Sequence, residues 1–250
     1  MKQFEVDQLD VRVFVTRAEM GREAALFAGY KIREILAGQA SLNMIFAAAP
    51  SQKEFLNALI EQGIDWTRIN AFHMDEYIGL PEDAPQRFGS FLKGKLFSKM
   101  PFKSVNYING SAVDPAAECE RYAKLLSDNP PDIVCMGIGE NGHIAFNDPH
   151  VADFNDPETV KIVDLDVECR QQQVNDGCFA CLDQVPTHAL TLTIPALMSG
   201  TYIFCIVPGK NKAKAVKQTL LGQVSEACPA SILIQHPNAI LFLDNDSASL

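Results

Sequence analysis

The sequence contains no run of apolar residues long enough to span a bilayer as a helix, which excludes a helical membrane protein. Its first residues, MKQFEVDQLD, lack the basic and then apolar layout of a signal peptide, so a cytoplasmic protein is expected. It also lacks a basic stripe: 21 Lys and Arg against 31 Asp and Glu leave a formal charge of -10, with nothing arranged to neutralise a phosphate backbone. Nucleic acid is therefore not an expected partner. A small anion is not excluded, because it is bound by local field and not by net charge. Paired cysteines are missing too. The seven cysteines, an odd number between Cys119 and Cys228, fit reduced thiols better than a disulfide framework. Cys178 and Cys181 form a C-x-x-C, yet neither a second pair nor a histidine pair stands at ligand spacing, so no metal is expected. There is no internal repeat, low-complexity tract or linker, and 250 residues with 47 % hydrophobic composition suffice for one domain over 1–250.

Strand and helix patterns alternate almost throughout. Val11 to Val15 reads as a strand, and Arg17 to Leu36 as a helix closed by Gly38. Leu42 to Ala48 reads as a second strand; Ser51 and Glu54 have the spacing of a capping box for a helix running to about Gln62. Strands follow at Arg68 to Met74, Val105 to Ile108, Ile133 to Met136, Val160 to Val163, His188 to Thr193, Tyr202 to Val207 and Ala239 to Leu243. Helices are read at Arg87 to Met100, Pro115 to Leu126 and Asn211 to Leu221, with a helical turn near Ala196. Cys169 to Cys181 is polar and fits neither pattern. This order predicts an α/β fold with a mainly parallel, Rossmann-like sheet and helices on both faces.

The chemistry concentrates where strands end. After Ile133 to Met136 comes GIGENGHIAFNDP, Gly137 to Pro149. Its glycines satisfy G-x-G-x-x-G, but Pro149 arrives where a dinucleotide fold opens a helix, and the motif lies past the middle of the chain. The glycines, among them Gly139 and Gly142, instead let the main chain turn sharply and approach a ligand closely. His143 then stands beside a pocket, with Asp148 near enough to orient its ring. Asp75 and Glu76 follow directly on a buried strand, the edge at which open α/β sheets place their chemistry. Ser51, at a helix start, and Lys212, in PGKNK after another strand, are candidates for an anionic substrate group. The histidine has a bland alternative as a satisfied loop residue, and Glu76 as a cap.

The segments FHMDEYIGLP, MGIGENGHIAFNDP, VPTHALT, PGKNKAKAV and CPASILIQHPN, in this order, resemble the glucosamine-6-phosphate deaminase family. The resemblance implies conversion of an amino sugar phosphate to fructose 6-phosphate and ammonia, without metal or organic cofactor. It implies that His143 opens the pyranose ring, with Asp148 and Asn141 beside it. Asp75 moves the proton between C2 and C1, Glu76 contributes beside it, and Lys212 binds phosphate. The pattern also departs from the family. Ala47 to Gln52 stands where a phosphate loop rich in Gly, Thr or Ser is usual, no basic residue lies between Gln171 and Cys178, and Asn141 replaces an acidic residue. The altered phosphate site leaves two alternatives, a lactonase-like hydrolase of sugar phosphates and a non-catalytic sugar phosphate binder. It also leaves the sugar epimer and a homo-oligomer open.

Overall fold

The computed structural model describes residues 1–249. Two strands, β1 (Lys2–Val6) and β2 (Leu9–Phe14), form a hairpin, and Thr16 caps α1 (Arg17–Gly38) by accepting from the Glu19 N–H. Then come β3 (Leu42–Phe46), α2 (Lys53–Ile60), β4 (Ile69–His73), β5 (Asp75–Tyr77), α3 (Phe88–Leu92) and β6 (Ser104–Asn106). They are followed by α4 (Pro115–Asp128), β7 (Ile133–Met136), β8 (Val160–Asp164), α5 (Val167–Asn175) and β9 (His188–Leu192). The chain closes with α6 (Ile194–Met198), β10 (Tyr202–Val207), α7 (Ala213–Leu221) and β11 (Ala239–Asp244). Among the described residues no helix is long and apolar enough to cross a membrane.

Eight strands form one sheet in the order β1-β2-β11-β10-β7-β3-β4-β6, parallel except for the β1–β2 hairpin. Both faces are covered, and the strands read accordingly as continuous apolar runs. In β7, Ile133 and Cys135 enter the core shared with α1, α2 and α3, whereas Val134 and Met136 enter the core shared with α4, α6 and α7. Because β7 returns to the middle of the sheet between β3 and β10, chain connections leave in opposite directions on its two sides. The carboxyl ends of these strands therefore border a crevice.

Several local expectations give way. β1 is an additional antiparallel edge strand. Ser51 does not cap α2: it lies in a 3-10 turn, Pro50–Gln52, and no side chain caps the helix. The Glu54 carboxylate that would close the box is held instead by Arg17, 2.7 Å away, which also donates to the Pro50 carbonyl. The expected helix over Arg87 to Met100 is short and passes into a π turn at Lys93–Phe97, and the unplaced polar stretch contains α5. Most consequential, β5 does not extend β4. It pairs antiparallel with β9, which pairs with β8, in a separate three-stranded sheet.

The step from β4 to β5 is pinned by a buried histidine. His73 Nδ1 lies 2.9 Å from the Asp75 carbonyl, an acceptor only, so Nδ1 carries the proton; Nε2 then accepts from the Ile108 N–H at 2.9 Å. Tyr122 closes the junction, its hydroxyl accepting from the His73 N–H and donating to the His73 carbonyl. With both ring nitrogens committed as neutral imidazole, burial first, and Arg87 further, push the His73 pKa down to about 4. Between that value and the unfolded value near 6.5, the unfolded chain binds the extra proton, so this group's contribution to stability falls as pH drops. In chemical denaturation from pH 6.5 to 4, wild type should lose up to ~3 kcal/mol relative to His73→Gln; parallel curves would show that His73 does not titrate on unfolding.

Candidate active site

Four strand ends supply one cleft. The exit of β3 contributes Ala47, Ala48, Ala49, Ser51 and Gln52; the step out of β4 contributes Met74 and Asp75. The exit of β7 contributes Gly137, Gly139 and His143, and the turn after β10 contributes Lys212. Helix α5 closes one side with Gln172 and Gln173, while Phe88 and Phe146, stacked at 5.4 Å, line the apolar part. Ser51, Asp75, His143 and Lys212, far apart in sequence, thus face one space, with Gly139 of the histidine loop among them.

The histidine loop is built on its glycines. Gly142, at φ +88°, occupies the left-handed region and turns the chain; its N–H donates to the Gly139 carbonyl. The turn returns the His143 ring onto Gly139 so closely that a Cβ there would stand 2.1 to 2.4 Å from three ring atoms. Gly142 itself lies outside the cleft, against Cys228, and contributes by conformation alone. The loop is tied to the small sheet: Thr191 Oγ1 on β9 accepts from the Phe146 N–H, and Asn147 Nδ2 donates to the Leu192 carbonyl.

Behind the ring, His143 Nδ1 lies 2.7 Å from Asn141 Oδ1 and 3.0 Å from Asp148 Oδ1. Asn141 Nδ2 donates to the same Asp148 oxygen and to Asp166 Oδ2, which fixes the amide so that its oxygen faces the histidine. Both neighbours of Nδ1 are acceptors, so Nδ1 carries a proton, and in the neutral ring Nε2 is the free base. Burial alone raises the Asp148 carboxyl. The hydrogen bond and charge of His143, with donations from Asn141 and the Asp166 N–H, outweigh it and hold the pKa below the usual value. Asp148 and Asn141 therefore orient the ring from behind and do not line the cleft. Donor atoms of His143, Asp148 and Cys169 lie within 4.8 Å of one another. The His143–Asp148 pair is already hydrogen-bonded, and burial, then Asp148 and Asp166, push the Cys169 thiol well up. These groups form a proton-holding network and not a vacant ligand set.

The two adjacent carboxylates have opposite surroundings because side chains of a strand alternate. Glu76, expected beside Asp75 in the substrate site, faces away from it. Its carboxylate is fully buried, accepts from the N–H groups of Tyr77, Phe88 and Gly89, and stands 3.7 Å from Arg87. Glu76 thus anchors the start of α3. Asp75, 6 % exposed, makes no side-chain hydrogen bond among the described residues, and burial, then the charge of Glu76, push its pKa well above the carboxylate range. Such a group holds a proton readily and returns it readily.

Lys212 is the cation of the cleft, 5 % exposed. Burial lowers its pKa, while Asp176 and Glu140 oppose that effect from a distance without pairing with it. Arg170, just before the segment without basic residues, is committed to the Leu182 and Val185 carbonyls. Gln52, Gln172 and Gln173 were not singled out by the sequence. Neutral amides carry no charge signal, and the last two fall in the stretch whose helix was not read.

A family model described as glucosamine-6-phosphate isomerases/6-phosphogluconolactonase matches residues 16–242. Curated glucosamine-6-phosphate deaminases of Bacillus thuringiensis (strain Al Hakam) and Bacillus cereus (strain AH820) are each 38 % identical over 224 residues, covering 89 % of this chain and 84 % of theirs. A solved structure of a monomeric glucosamine-6-phosphate deaminase superposes with a TM-score of 0.87 at 30 % identity, covering 96 % of this chain and 99 % of that one. A 6-phosphogluconolactonase from Thermotoga maritima shares the fold, with a TM-score of 0.76 at 21 % identity over 94 % of this chain and 98 % of that one.

The environments of the two carboxylates predict opposite responses to neutralisation. Glu76→Gln should cost about 2–4 kcal/mol in chemical denaturation, since it weakens several charge-assisted hydrogen bonds at once. Asp75→Asn should leave stability unchanged or raise it; a loss comparable to that of Glu76→Gln would mean that Asp75 is structural.

Proposed function

The chain belongs to the glucosamine-6-phosphate isomerase/6-phosphogluconolactonase family, and on that footing we propose that it is an amino sugar phosphate deaminase. Its substrate is glucosamine 6-phosphate or the galactosamine epimer, and its products are the ketose 6-phosphate and ammonia. The observation that carries this reading is Asp75: a buried carboxylate free of hydrogen-bond partners among the described residues, facing the same cleft as a histidine of fixed tautomer and a lysine that pairs with none of them.

In this reading the substrate enters as a pyranose, with its terminal phosphate toward Lys212 and Ser51. His143, protonated on Nε2, gives that proton to the ring oxygen as the bond to C1 breaks, while the anomeric hydroxyl loses its proton to water. Asn141 and Asp148 hold Nδ1 throughout, so the ring exchanges protons only at Nε2. Asp75 then takes the proton from C2 of the open aldose while the ammonium on C2 gives up one proton to O1, forming an enolamine, and Asp75 returns its proton to C1. The resulting C2 imine adds water and expels ammonia. No step calls on a metal or an organic cofactor. Glu76 acts indirectly: its negative charge adds to the effect of burial on Asp75. Action in the cytoplasm is part of the same proposal.

Ammonia release by purified protein from glucosamine 6-phosphate and galactosamine 6-phosphate tests the reaction. Release from at least one, abolished in Asp75→Asn, is the expected result; release from neither would remove the proposal. The pH profile follows with its sign. Below its pKa Asp75 is protonated and cannot take the C2 proton, so kcat/KM should rise with pH through an acid limb lying above the usual carboxylate value of about 3.9. A limb at or below that value would show that another group is the base.

A further inference from the structure

A second cavity, of about 380 Å³, opens on the Glu76 side of β5, away from the cleft that Asp75 faces. Its buried charges are Glu76 and Arg87; Ser90, Lys93, Tyr107 and Asn109 line it nearer to solvent. The two spaces share no lining residue.

Arg87 is the group that lacks partners here. Its side chain lines the cavity and keeps 10 % of its surface open, and every nitrogen of its guanidinium carries protons. Nε stands 3.7 Å from the Glu76 carboxylate, an ion pair too long for a hydrogen bond. Nη1 reaches the Glu82 carbonyl at 3.3 Å and Ser111 Oγ at 3.5 Å. Nη2 donates to no acceptor among the described residues. A guanidinium this deep ordinarily holds its acceptors at about 2.8 Å. Each contact of Arg87 is longer, and one nitrogen has none.

The neighbouring groups are donors as well. Among the described residues the Ser90 and Tyr107 hydroxyls, the Lys93 ammonium and Asn109 Nδ2 meet no acceptor, while Asn109 Oδ1 is taken by the Ser111 N–H. Acceptors are scarce. Glu76 is filled by three N–H groups and Arg87, and nearby Glu118 is held by Arg121, which leaves the exposed Glu82 as the free carboxylate of the lining. A planar carboxylate pairs best with two parallel N–H bonds from one guanidinium. Arg87 offers one free nitrogen, and the other donors come from α3, the turn after it and the segment after β6, directions that suit the separate oxygens of a tetrahedral anion.

We propose that this cavity is a second binding site, which takes a phosphate group, free or carried by a small ester, with Arg87 Nη2, Tyr107, Ser90 and Lys93 on its oxygens. The inference does not rest on the sugar phosphate reading of the cleft, because no residue of the cleft takes part in it.

Lys212 in the cleft also attracts phosphate, and replacing Arg87 would disturb Glu76. The experiment is therefore calorimetric titration of Lys212→Met with inorganic phosphate, glycerol 1-phosphate and acetate, with the cavity altered at its rim. Phosphate should bind Lys212→Met, and acetate about tenfold more weakly. Adding Tyr107→Phe, which removes one hydroxyl, should weaken phosphate about fivefold, and adding Lys93→Glu about tenfold or more. Tighter binding of the ester than of inorganic phosphate assigns the site to an ester, and the reverse order to free phosphate. Absence of phosphate binding, acetate bound as tightly as phosphate, or equal phosphate affinity in the three backgrounds overturns the proposal. If Lys212→Met does not fold, the chain with Lys212 in place decides: Lys93→Glu should lower the number of bound phosphates by one, and an unchanged number overturns the proposal.

Discussion

A three-residue strand governs the cleft, because in β5 neighbouring side chains must face opposite sides. Glu76 takes the inner side, where three backbone N–H groups and Arg87 surround its carboxylate. Asp75 is left on the other side with no donor of its own. A buried charge is tolerable when it is hydrogen-bonded and costly when it is not. The satisfied member of the pair therefore fixes the backbone that holds the unsatisfied member in place. His73 and Tyr122 reinforce the same junction from the main sheet. The strain of the site is electrostatic, and it is carried by elements that take no part in the chemistry.

The main sheet sets where this strand can act. With β7 returning between β3 and β10, the loops after those strands open at one edge, and each delivers one kind of group. The β7 loop gives a histidine of fixed tautomer, the β10 turn a lysine, and the β3 turn a hydroxyl and an amide. Thr191 and Asn147 clamp the histidine loop to the small sheet, so Asp75 and His143 share a support and keep their separation.

Much of this was legible in the sequence for physical reasons. Buried parallel strands must be apolar on both faces, so Ile133 to Met136 and Tyr202 to Val207 were read close to their observed limits. The glycines around His143 announced a sharp turn, which Gly142 makes at φ +88°; the close approach they were expected to give a ligand is, at Gly139, an approach of the His143 ring. What stayed hidden depends on tertiary partners. β5 is too short for a period, and its partner β9, with Thr191 opposite Asp75, comes 116 residues later in the chain. Arg17 diverted Glu54 from its capping box, a contact across 37 residues. Helix α5 is polar because one of its faces lines a cleft and another meets solvent, which removes the apolar stripe by which a helix is recognised.

That helix has a dual attachment. At its start, Asp166 caps it through the Cys169 N–H and also braces Asn141 and Asp148 behind the His143 ring. Two turns on, Gln172 accepts from the Glu140 N–H, and with Gln173 it borders the far end of the cleft. One helix therefore touches both the groups that hold the His143 ring and the groups that border the far end of the cleft. The two ends are mechanically linked, and substitutions at the two ends of α5 will not combine additively. A change made along this helix to reshape the far end of the cleft will therefore be felt at the support of the His143 ring, and a change at that support will be felt at the far end.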